Sequence, residues 1–151
     1  MRLGPLTLFQ RRVIGADDNP LLVRYILFRL PAIGVYLHHL CRSDYGRALH
    51  DHPWPFISIL LAGGYDEVHD QSIDGKVTVV PHRRGDVLVR PAEWRHRFVL
   101  PDGKKAWTLV IVGRRCRRWG FFLPTGWCWW RKHNGALAVC EEEILWEGGS
   151  D

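Results

Sequence analysis

The sequence has no C-x-x-C pair: its four cysteines, Cys41, Cys116, Cys128 and Cys140, stand far apart. That argues against a thiolate zinc knuckle, and a chain of 151 residues needs no disulfide framework to fold. Reduced thiols with structural roles are expected. A long uncharged apolar run is missing too. The greasiest stretch, Leu21 to Leu40, is interrupted by Arg24, Arg29, Pro31, His38 and His39, so it does not suit a bilayer span of about 20 residues. Met1 to Phe9 lacks the basic start, apolar stretch and small-residue cleavage site of a secretory signal. A cytoplasmic protein with no membrane attachment is therefore expected. Repeats, low-complexity tracts and linkers are also absent, which makes residues 1–151 a single domain.

Acidic residues are in the minority, 16 against 21 Lys and Arg, for a net charge of +5. Four of those cations form one run, Arg114, Arg115, Arg117 and Arg118, with Trp119 beside it. A solvated strand edge explains such a run better than a nucleic-acid site does, because no recognition module accompanies it. Nucleic acid is not an expected partner.

What is present reads as β structure. Leu21 to Leu30 and Gly34 to Leu40 are rich in branched and aromatic residues and are separated by Pro31, which suits two strands. Phe56 to Leu61, Lys76 to Val80, Asp86 to Arg90, Arg97 to Leu100 and Ala106 to Val112 are short apolar segments punctuated by Gly and Pro. That spacing predicts an all-β antiparallel sandwich or barrel. Trp119 to Trp130 is aromatic and punctuated, Ala136 to Trp146 suits a strand or a short helix, and neither is assigned. The Trp-rich segment Trp127, Trp129, Trp130 is expected to cover an apolar face or a partner.

His50-Asp51-His52 carries the chemistry, because residues two apart on a strand project from one face and their imidazoles can share a cation. His96 is the third candidate ligand, at the end of a segment that opens at Gly85 and turns at Pro91. Neighbouring strands can bring it opposite the pair. Asp51 alternates with the histidines and is expected to face away, either orienting a ligand through a ring nitrogen or sitting in solvent. His38, His39, His69, His82 and His133 show no ligand spacing and receive no role.

With His50, His52 and a following Gly63 or Gly64, and then Gly85, Pro91 and His96, the region from Tyr45 to Val112 resembles the cupin superfamily. The resemblance implies a small RmlC-like jelly-roll β-barrel of antiparallel strands, here with N- and C-terminal extensions, and a metal site inside it. Several positions depart from the family pattern. The usual metal-binding glutamate falls near Phe56 or Ile57, Glu93 stands where glycine is usual, Leu100 where asparagine is usual, and the leading glycine is displaced to Gly46. Two ligand sets stay open: His50, His52 and His96 alone, which is preferred, or those three with Asp66 or Glu67. The ion is a divalent transition metal such as Fe, Zn, Mn or Ni, which imidazole ligands do not distinguish.

Strand parity places Trp54 and Phe56 with His50 and His52, and Trp94 with His96. Together with Tyr65 they form a candidate substrate wall, against the plainer reading that they are core. A bulge is expected at Gly63-Gly64. Glu67 is the candidate general acid or base. The function these readings support is a metal-dependent enzyme of oxygenase, isomerase or hydrolase type acting on a small anionic molecule. The alternative is a non-catalytic small-molecule binding or sensing module. Cupins often dimerise, so the resemblance also implies a homodimer.

Overall fold

In the computed structural model the described residues are 2–3, 5–44, 48–70, 76–123 and 126–129. Among them every regular element is a strand: β1 (Arg2–Leu3), β2 (Leu6–Gly15), β3 (Pro20–Arg29), β4 (Gly34–Leu40), β5 (Leu49–His50), β6 (Phe56–Ala62), β7 (Gly64–His69), β8 (Thr78–Arg83), β9 (Val87–Arg90), β10 (His96–Val99), β11 (Ala106–Val112), β12 (Gly120–Leu123) and β13 (Gly126–Trp129). The branched and aromatic segments read from the sequence thus become β3, β4, β6 and β8 to β11. The Trp-rich stretch becomes the hairpin β12–β13, and Ala136 to Trp146 lies outside the described residues.

The strands form two antiparallel sheets, ordered β1-β2-β3-β4-β11-β6-β9 and β13-β12-β5-β10-β7-β8. Ladders run within each sheet and not between them, so the expected closed barrel is instead a jelly-roll sandwich. The physical reason lies where the chain changes sheets. Between β6 and β7 it crosses at Gly63, whose φ is +73° and where a Cβ would run into the Lys105 carbonyl, so only glycine fits. Between β8 and β9 it crosses in the turn closed by the Asp86 amide on the Arg83 carbonyl. Turns hold these corners, and a ladder does not. The bulge expected at Gly63-Gly64 sits at Leu61, between Ala62 opposite Trp107 and Leu60 opposite Thr108.

Leu22, Leu40, Leu60, Leu88 and Ala106 of the first sheet pack against Tyr65 and Phe98 of the second. A second cluster, Ile26, Tyr36, Val110 and Val112, packs against Trp54 and Phe56. Leu100, at the departure from asparagine, is buried in the first cluster. Glu93 keeps an ordinary backbone, since Phe9 is the one non-glycine residue with positive φ among the described residues. The thiol expectation needs a correction: Cys41 and Cys116 are free, but Cys128 is disulfide-bonded. No helix of the described residues is long and apolar enough to cross a membrane.

Candidate metal centre

The ladder places His50 directly opposite His96 on β10, with Phe121 of β12 on its other side. β5 stops at His50, and the next residues are held by loops: the His52 amide donates to the Ala92 carbonyl at 2.9 Å, in the turn closed by Trp94 N on Pro91 O. Pro91 therefore shapes the loop that seats His52. The three rings meet inside the sandwich, with centroids 5.1 Å apart for His50 and His52 and 4.9 Å for His52 and His96. One ligand nitrogen from each lies within 4.8 Å of the others. Nε2 of His52 and Nε2 of His96 are 2.8 Å apart.

Burial keeps the His50 and His52 rings ready for a cation. It lowers the His50 pKa to about 3, with His96 nearby adding to the effect, and it holds His52 well below the ordinary histidine range. A neutral ring keeps the lone pair that a metal needs, so protons compete weakly for the site.

Glu67 of β7 explains how His96 is aimed. It lies diagonally across from His96 on the same face and is fully buried. Its Oε1 accepts from His96 Nδ1 at 2.6 Å and from Trp94 Nε1 at 3.0 Å. Oε2 accepts from Arg90 Nη2 at 2.6 Å and from His82 Nε2 at 3.0 Å, and Arg90 Nε reaches Oε1 at 3.3 Å. Burial alone would raise its pKa, but the bonds from His96, Arg90 and His82 outweigh burial and lower it. The carboxylate fixes the proton of His96 on Nδ1 and turns Nε2 toward His52 Nε2 as the ligand atom, the arrangement by which proteins orient metal-ligating histidines.

Asp66, the other carboxylate considered for the ion, alternates with Glu67 along β7 and so faces the opposite side of the sheet. Asp51 faces away from the histidines as parity requires, yet it neither orients a ring nor meets solvent. It is fully buried, accepting from Gly120 N at 2.7 Å, Trp127 Nε1 at 3.3 Å and Arg117 Nη2 at 2.9 Å. That carboxylate ties the Trp-rich hairpin and part of the arginine run to the strand that carries His50. Arg118 lies over the Trp129 ring at 4.3 Å.

Of the four aromatics, Phe56 touches the centre, edge-on to His52 at 4.6 Å. Trp54 stands edge-on to Tyr36 at 6.3 Å under the Arg29 guanidinium. Tyr65 is buried in the main core, and Trp94 is spent on Glu67, with Arg90 4.2 Å above its ring. Two surface clefts, one including Tyr65, Pro81 and Lys104 and the other Ile33, Pro55 and Val89, include none of the three histidines.

Sequence reasoning gave His82 and Arg90 no role, and both bind Glu67. It also passed over Arg24 and His38, whose side chains meet on the inner face, Arg24 Nε donating to His38 Nε2 at 2.9 Å. Histidine spacing could not reveal them, because strand register, not sequence separation, makes them neighbours.

The two facing antiparallel sheets are similar in fold to solved cupin structures. A sugar phosphate isomerase of that superfamily from Silicibacter pomeroyi is similar over 87% of this chain and 93% of its own, with 20% identity and a TM-score of 0.55. An RmlC-like cupin from Shewanella frigidimarina is similar over 72% and 86%, with 18% identity and a TM-score of 0.52. The iron(II) enzyme HppE in complex with substrate is similar over 70% and 56%, with 12% identity and a TM-score of 0.54. No family model and no curated protein matches the chain.

Proposed function

We propose that this chain is a metal-dependent enzyme that binds one divalent transition metal through His50, His52 and His96 and acts on a small anionic molecule between the sheets. The observation that carries the reading is the cluster itself: three ring nitrogens within 4.8 Å of one another, one of them aimed by a fully buried carboxylate. The donor set fits Fe, Zn, Mn or Ni, and that cupins of similar fold include an iron(II) enzyme and an isomerase is consistent with it. When bound, the ion supplies Lewis acidity at coordination positions the three histidines leave open.

The chain's own residues supply the rest. Glu67 acts as a positioning residue: a carboxylate held ionised by Arg90, His82, Trp94 and His96 has little capacity to take or give a proton. Phe56 packs edge-on against one side of the His52 ring. The alternative of a non-catalytic binding module shares this site and differs only in turnover. Elemental analysis of chelator-free protein beside His50→Ala and His96→Ala tests the centre. About one equivalent of metal in the wild type and almost none in the folded variants is expected. Metal-free wild type after reconstitution would discard the proposal.

A further inference from the structure

On the inner face of the sandwich Arg90 is matched with an anion, Glu67 at 2.6 Å, and on the far side of the histidine strand Arg117 is matched with Asp51 at 2.9 Å. Arg24 is different. It projects from β3 between Leu22 and Ile26, both buried, so it faces inward. Its Nε is committed to His38 Nε2, and its guanidinium carbon lies 5.2 Å from the centre of the Tyr36 ring. Among the described residues no carboxylate pairs with it. Burial lowers its pKa to about 10, which still leaves it charged at neutral pH. Its charge is felt at both His38 and His52.

An inward arginine without a counter-ion beside a cluster that takes a dication leaves net positive charge in a place of low dielectric. An anionic ligand offsets it. Geometry narrows the class of anion. With Nε engaged, the edge of the guanidinium still open is the Nη1–Nη2 pair, two parallel N–H donors matched to the two oxygens of a planar carboxylate. The Tyr36 ring supplies a flat wall beside it, with Trp54 edge-on to that ring. We propose that Arg24 is the substrate-recognising residue of this site and that it receives the carboxylate of a short organic acid. This rests on the metal-site reading above, since it places the acid's other end toward His52.

Calorimetric titration of the zinc-loaded protein with malonate, and with its uncharged diamide, tests the inference. The wild type is expected to bind malonate and not the diamide. Arg24→Gln should weaken malonate at least tenfold with zinc content and melting temperature close to wild type. Arg24→Lys, which keeps the charge and loses the fork, should fall in between. Unchanged malonate affinity in Arg24→Gln would overturn the assignment, as would no malonate binding by the wild type. Inorganic phosphate binding as tightly as malonate would overturn the carboxylate class. The metal-free protein separates the two proposals: an Arg24-dependent affinity there, in a chain that never takes up zinc, sinks the metal site and leaves Arg24 standing.

Discussion

Glu67 and His96 show how one residue's environment sets the character of another. A Glu67→Gln variant keeps the shape but presents an amide NH2 to one of the donors that now face a carboxylate. Metal affinity should then fall about 10- to 100-fold, the usual effect of losing such an orienting partner. Competition with a chromophoric chelator measures it, and undiminished affinity would show that Glu67 does not aim His96. The buried rings make a second prediction. His50, at about 3, and His52 and His38, both well below 6.5, have folded pKa values below their unfolded ones, chiefly through burial. Their contribution to stability is present above pH 6.5 and is lost as pH falls toward 3. Asp44 acts oppositely: burial raises it to about 7 from 3.8, so its contribution is lost as pH rises through 7. Three imidazoles outweigh one carboxyl. The melting temperature of metal-free protein should drop between pH 6.5 and 4, less so in His38→Gln, and a flat profile would count against neutral buried rings.

Between strands, the corners and clamps decide stability. Gly63→Ala forces a Cβ against the Lys105 carbonyl at a φ of +73°. It should cost about 1–3 kcal/mol, the range for strained backbone, read as a lower urea midpoint. Asp51→Asn removes the charge that Arg117 pairs with and weakens the tie to Gly120 and Trp127. Amide exchange should then quicken in β12 and β13 while β3, β4 and β11 keep their protection. Equal protection in both hairpin strands would mean that other contacts hold them. Most strands in the middle of the chain were legible because apolar segments and Gly or Pro punctuation set their ends. β2 was not, since Gln10-Arg11-Arg12 breaks its alternation and the strand is held by pairing with β3.

At the scale of the whole molecule, the proposed metal site would couple folding to the ion. A metal that binds the folded state alone stabilises it by about 2.7 kcal/mol at a free concentration a hundred times the dissociation constant. For a domain of this size that is a rise of about 5–10 °C in melting temperature. Calorimetry with and without zinc should show it in the wild type and not in His96→Ala; equal shifts in both proteins would place the ion elsewhere.

The sequence by itself determined the antiparallel β class and the three histidines, because side-chain alternation and turn residues are local properties that survive without tertiary contacts. It also carried the cupin resemblance through spaced glycines, a proline and histidines. Only the tertiary structure decided that the sheets form a sandwich, that Glu67 holds the His96 ring and that Asp51 clamps a hairpin. It alone brought Arg24 to His38 on the inner face. Those facts depend on which strand lies beside which and in what register, and a shift of one residue would turn every one of these side chains to the other face.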